Sequence, residues 1–259
     1  MREKGVKISR NGSLLVYQNG YEPKFIEQTI EEHNLKGLRI WTDPMPDPPP
    51  EIGFLSNCSF LEGLDVTSLI DYDFSFLKDL PNLKRLSVNT IGKTEINLIN
   101  QRSLEYLAIE WRKGKIRGLE NCKNLSSLGL IDYSEQDLNP IRSVGSLKDL
   151  RIKTAGIVSV EGIEELHRLE RLLLGNCRKL TSIRSINGLE QLESLEIEAC
   201  RKISDFDELT NLPKLEHLRL TNCGEIASLA FTDNFPSLER LVINGNTTIA
   251  DRSFRTPLS

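Results

Sequence analysis

The sequence predicts an α/β solenoid, and three observations carry that prediction. The first is a fixed step: Leu169, Leu172, Leu174 and Cys177 return as Leu192, Leu195, Ile197 and Cys200, as Leu215, Leu218, Leu220 and Cys223, and as Leu238, Leu241, Ile243 and Asn246, 23 residues apart each time. A period of this length means stacked coils. The second is alternation inside each unit, where Leu172 and Leu174 stand two apart and share one face of a strand while Arg171, Leu173 and Gly175 take the other. The third lies between the units, where Ile157, Val160, Ile163 and Leu166, or Ile183, Ile186, Leu189 and Leu192, recur every third residue. That spacing suits short 3₁₀ turns better than α-helices.

Each unit has a physical logic. The first Leu fills the corner where the chain enters the strand, and Cys177 or its equivalent sits where the chain leaves it. Backbone groups at that exit turn need partners. Asn supplies an amide there, whereas Cys acts as a small buried hydrophobe. No coil buries its own apolar edge, so stability comes from stacked neighbours.

In chain order, residues 5–18 read as a hairpin around Asn11-Gly12, with Leu14 and Val16 expected to point inward as the first sheet strand. The segment around Val6 to Ile8 would then shield the sheet's outer edge. Pro23 opens a helix whose Phe25, Ile26, Thr29, Ile30 and His33 share a face. Leu35, Leu38 and Ile40 begin the first full unit. The next begins 26 residues later, at Leu61, because Asp43 to Pro50 must be spent in a stiff, proline-rich surface loop. Units at Leu83, Leu104, Leu125 and Leu147 follow at steps of 22, 21, 21 and 22 residues.

On these motifs, from Leu35 to Asn246, the chain resembles the short bacterial leucine-rich repeats of the internalin type, with Cys-containing units. The resemblance implies a horseshoe with a parallel, concave β-sheet of about ten repeat strands, short 3₁₀ or loop segments on the convex side, and protein binding on the concave face. The expected organisation is an N-terminal cap over 1–34 (hairpin plus short helix), a solenoid over 35–246 and a C-terminal tail or cap over 247–259. Internalins carry a secretion signal. The opening MREKGVKISRNGSLLVYQNG has no apolar stretch long enough for one, so a cytoplasmic protein is expected.

Composition narrows the function. A net charge of −4 argues against a general nucleic-acid binder. Five cysteines, an odd number without a CxxC pair, read as buried structural thiols rather than a metal site or a disulfide framework. Cys177, Cys200 and Cys223 should stack on adjacent coils, and Cys58 and Cys122, each after an Asn, share another position. His33, His167 and His217 fall on different coils, with no nucleophile elbow, phosphate loop or zinc spacing beside them. Glu196 and Glu198 have the form of paired carboxylates, but with Arg171 and Arg219 on neighbouring strands they read as a solvated ion network. The expectation is a non-enzymatic, monomeric module with no cofactor, no metal and no membrane contact.

What remains is a surface. Outward strand positions form three columns of mixed aromatic, charged and small residues, the composition protein interfaces use. The candidate partner-binding residues are Trp41, Tyr106, Tyr133, Arg151, Lys153, Arg171, Glu196, Glu198 and Arg219, with the binding energy centred on Arg151 to Arg219. Residues 35–82 carry three Lys/Arg against eight Asp/Glu, whereas Arg112, Lys113, Lys115 and Arg117 form a basic cluster, read as a solvated rim before a nucleic-acid site. A protein partner is expected, with the chain acting as an inhibitor or immunity-type factor or, alternatively, as a scaffold joining two proteins.

Overall fold

The computed structural model describes residues 6–42 and 49–251; the rest of the predicted proline loop and of the C-terminal tail lies outside them. The chain divides into two compact units, residues 1–125 and 126–259. No helix of the described residues is long and apolar enough to cross a membrane.

In the first unit, β1 (Leu15–Val16), β2 (Leu38–Trp41), β3 (Gly63–Ser68) and β4 (Arg85–Thr90) lie in one parallel sheet, with β5 (Ile96–Asn97) outside it and β6 (Tyr106–Glu110) beside β4. The short β7 (Ile116–Arg117) pairs with β5 away from the main sheet. The register matches the repeat: Leu38 stands beside Leu64, Leu64 beside Leu86 and Leu86 beside Leu107. These leucines are 0–2% exposed, and each buried Leu contributes about 1.5–3 kcal/mol. The 3₁₀ turns Gly53–Asn57, Ser75–Asp79 and Leu119–Asn121 carry the chain back. Their buried Leu55, Leu77 and Leu119 come from the apolar period of three.

The N-terminal segment departs from expectation by one residue. The hairpin is present, with Gly12 donating to Ser9 O (2.7 Å) and Ser9 N donating to Leu14 O (2.9 Å). Leu15, not Leu14 or Val16, faces the core, pairs with Leu38 and is fully buried. Ser9 and Leu14 close the turn as a hydrogen-bonded pair, with Ser9 Oγ also accepting from Leu14 N at 3.0 Å. The next residue therefore points inward, and a slip of one residue exchanges the faces of a strand. The helix α1 (Pro23–Glu32) starts on Pro23 and buries Ile26 and Thr29. His33 is its exposed C-cap, so the buried stripe is narrower than predicted.

In the second unit, β8 (Ser127–Ile131), β9 (Asp149–Lys153), β10 (Arg171–Gly175), β11 (Ser194–Glu198) and β12 (His217–Thr221) run parallel. The short β13 (Glu225–Ile226) leaves the sheet, β14 (Arg240–Asn244) continues it beside β12, and β15 (Thr248–Ile249) pairs with β13. Among the described residues five 3₁₀ turns follow these strands, Ile163–Glu165 and Arg184–Gly188 lying inside the two segments of threefold period.

The exit corners of this unit make a column. Tyr133, Ala155, Cys177, Cys200 and Cys223 are 0–6% exposed, each preceded by a left-handed residue: Asp132, Thr154, Asn176, Ala199 and Asn222, with φ from 53° to 55°. The thiols reach back along the stack, Cys200 Sγ to Leu174 O at 3.5 Å and Cys223 Sγ to Ile197 O at 3.3 Å. The last corner differs from the sequence reading. Asn246 is exposed, and Thr247 turns inward instead, its Oγ1 accepting from Cys223 N (3.0 Å) and lying 3.4 Å from Leu220 O. A hydroxyl can donate to that carbonyl and accept from that amide at once, whereas a buried Asn amide would need further partners. In β14, Leu241, Val242 and Ile243 are all half-buried, unlike the inward residues of every earlier strand in the unit.

All five cysteines are free and buried. Burial raises the thiols of Cys58, Cys122 and Cys223 from 9.0 to about 11. The hydrogen bond with Cys177, together with burial, holds the Cys200 thiol protonated well above the usual range.

Candidate recognition face

Because side chains alternate along a strand, register alone assembles the outward columns of the second unit. Asp149, Arg171, Ser194, His217 and Arg240 form the first, Arg151, Leu173, Glu196, Arg219 and Val242 the second, and Lys153, Gly175, Glu198, Thr221 and Asn244 the third. Residues some 22 positions apart in sequence thus stand one strand spacing apart, about 4.8 Å.

Asp149 organises this face although sequence reasoning did not single it out. It is 6% exposed. Arg151 donates to both its oxygens, Nε to Oδ1 at 3.0 Å and Nη2 to Oδ2 at 3.2 Å, and Arg171 Nε donates to Oδ2 at 3.0 Å. One buried carboxylate therefore fixes two guanidinium groups whose side chains stay 61% and 51% exposed. Arg171 also lies 3.6 Å from Glu170, not on Glu196 as the expected ion network required. That network reduces to Arg219 and Glu196 at 3.9 Å, both about half exposed. Asp149 outcompetes Glu196 because it sits nearer the apolar sheet, where a charge pair is less screened. The signal was available: Asp149 and Arg171 are opposite charges at neighbouring positions of one column.

Lys153 and Glu198 are exposed at the ends of β9 and β11. Tyr133 is not on this face. Its ring is fully buried in the corner column and its hydroxyl donates to Asp137 O at 2.9 Å, which removes it from the candidate set.

The first unit carries the remaining candidates. Trp41 ends β2, half exposed, with the Arg39 guanidinium carbon 5.8 Å from its ring centroid. Arg39 in turn donates to Asp65 Oδ2 from Nε (2.9 Å) and Nη2 (2.6 Å). Tyr106 opens β6 half-buried, and the Arg85 guanidinium lies over its ring at 4.1 Å. Beside these groups Gly37 and Gly63 occupy neighbouring positions on adjacent strands, where the backbones approach closely. A Cβ on either would run into the other strand's backbone, and Gly37 has φ 152°. A hollow of about 680 Å³ lies beside Arg39, Gly63, Asp65, Arg85 and Tyr106.

The predicted basic cluster is not a single patch. Arg112 is 6% exposed: it donates to Thr94 O at 2.6 Å and to the Thr90 hydroxyl, and lies 5.7 Å from the Phe74 ring centroid. Burial lowers its pKa. Lys113, Lys115 and Arg117 are exposed, with Arg117 3.3 Å from Glu95. Among the described residues no three His, Cys, Asp or Glu are grouped to hold a metal ion.

No protein-family model and no curated protein matches the chain by sequence. Solved structures do match in shape. An internalin (InlF) from Listeria monocytogenes aligns with a TM-score of 0.57 at 21% identity, over 91% of this chain and 74% of that one. A leucine-rich repeat protein from Leptospira interrogans aligns at 0.52 with 15% identity, over 90% and 71%. This is a leucine-rich-repeat fold. InlJ of Listeria monocytogenes, whose functional domain includes a cysteine ladder, aligns at 0.56 with 17% identity, over 84% of this chain and 46% of that one. In this chain Cys177, Cys200 and Cys223 occupy consecutive corners.

Proposed function

We propose that this leucine-rich-repeat chain is a non-enzymatic protein-recognition module that holds a protein partner on the concave face of its sheet. The observation that carries the reading is Asp149, which locks Arg151 and Arg171 in place while leaving them exposed. Binding through pre-positioned side chains loses less rotamer freedom, and charges arranged in a column favour partner choice and association rate. Glu196 and Arg219 continue the column of Arg151 beyond Leu173. Five free, buried thiols support action in a reducing compartment such as the cytoplasm.

The test is a charge reversal. Glu196→Lys/Glu198→Lys should leave Tm within about 2 °C, since exposed groups add little to stability, while weakening capture of the partner from a native lysate. If the reversed protein unfolds, the strand register is wrong; if it captures the same partner equally well, this face does not bind it. Occlusion of a partner's surface is the simplest action open to such a module, which favours an inhibitor or immunity-type factor. A ternary complex in which the bound partner keeps its activity would instead establish a scaffold.

A further inference from the structure

We propose that the hollow on the strand face of the first unit, between the hairpin turn and Tyr106, is a binding site for an acidic segment of a protein partner. This rests on the protein-recognition reading, but it concerns a different unit and different residues.

The hollow lies over the outward positions of β3 and β4, lined by Gly63, Asp65, Arg85 and Ser87. Gly63 accepts no Cβ, because one would meet Lys36 O at the entry to the neighbouring strand. The hairpin turn at Asn11 and Ser13 closes one side, and Arg85 with Tyr106 closes the other. Its volume of about 680 Å³ suits several side chains of a peptide rather than a single small anion.

The walls are unevenly charged. Lys36, Arg39 and Arg85 face a single anion, Asp65, in a chain whose net charge is −4. Asp65 is already occupied: Oδ2 accepts twice from Arg39 and Oδ1 accepts from Thr67 Oγ1 at 3.2 Å. Glu62, which shares a second recess with Lys36, is taken by Lys84 at 2.8 Å. Among the described residues, Lys36 and Arg85 have no carboxylate partner. Arg85 is nevertheless held, because its guanidinium lies over Tyr106 and keeps its N–H edge available for a planar acceptor. The first unit thus holds two uncompensated cations in a recess.

Their spacing selects the ligand. Lys36 leads into β2 and Arg85 opens β4, so their backbones stand two strand spacings apart, about 10 Å. One phosphate does not span that gap, whereas two carboxylates on an extended segment do. A nucleic acid would need a longer run of cations for appreciable affinity.

The probe is fluorescein-labelled hexaglutamate, followed by anisotropy with the full chain at low ionic strength. Saturable binding is expected, weakened roughly tenfold by Lys36→Gln/Arg85→Gln, the scale of losing charge-assisted contacts. A control, Lys123→Gln/Lys202→Gln, altered at two exposed lysines outside both the hollow and the outward columns of the second unit, should bind like the parent. Circular dichroism confirms that both variants fold. The proposal is overturned if hexaglutamate does not bind saturably, or if Lys36→Gln/Arg85→Gln binds it as the parent does. It is overturned equally if inorganic phosphate or a single-stranded oligonucleotide displaces the probe at lower concentration than unlabelled hexaglutamate. This measurement needs no native partner, so its failure leaves the module reading standing. Hexaglutamate binding alongside a lysate capture that yields no specific protein would sink that reading alone.

Discussion

Arg112 lies three residues after Ile109, the same offset that separates Cys177 from Leu174, and this offset puts its guanidinium inside the turn. Tyr133 follows Leu130 by the same three residues and is buried for the same reason. Both were misread because composition was weighed above register: a run of cations looked like a surface, and an aromatic looked like an anchor. Arg112→Ala should lower stability by about 2 kcal/mol, since the Thr90 and Thr94 acceptors lose their buried donor. Lys115→Ala should stay within about 0.5 kcal/mol, and urea denaturation of the two variants checks the contrast. The left-handed residue before each corner gives a second prediction. Thr154 has φ 55° where Asn176 and Asn222 serve equivalent turns, and a β-branched residue is strained there. Thr154→Asn should raise Tm by roughly 2–4 °C in a thermal melt.

At the scale of elements, the strands were the legible part. Each Leu-x-x-Leu-x-Leu segment became a strand in the expected register, and each threefold apolar period became a 3₁₀ turn, because burial and backbone pairing demand the same alternation. The failures were at ends, where no neighbour enforces the pattern: Leu15 replaced Leu14 and Val16, and Thr247 replaced Asn246. The buried thiols make a pH prediction. Below pH 9 they are protonated in both folded and unfolded chains, and their contribution is complete. As pH rises towards 11, unfolded chains ionise at Cys58, Cys122 and Cys223 while the folded chain does not, so stability falls. Burial also raises the Tyr133 hydroxyl, which adds to the loss above pH 10. Tm should decline from pH 8.5 to 11, and a Cys58→Ala/Cys122→Ala/Cys223→Ala variant should decline less steeply, about half as much or below.

At the scale of the whole molecule, the even 22- and 23-residue steps belong to the second unit, and the first unit holds the irregular 26-, 22- and 21-residue steps. The period made the fold readable throughout, and the step changes from 21 to 22 residues at Leu125, where the units divide. The candidate face was readable as columns and unreadable as contacts. Register predicts that Asp149 neighbours Arg171, and only packing determines that Asp149 is buried and so captures both arginines.

The half-buried apolar residues of β14 carry one more consequence. Among the described residues β14 is flanked by β12 alone, and its partly wet apolar side chains give it a lower local opening free energy than strands packed on both flanks. Its amides should exchange with deuterium faster than those of β10 and β11, with β12 intermediate. The second unit would then fray from its C-terminal end like a zip, and its melting would be a progression along the stack rather than a single step. Equal protection across β10 to β14 in a hydrogen-exchange time course would rule that gradient out.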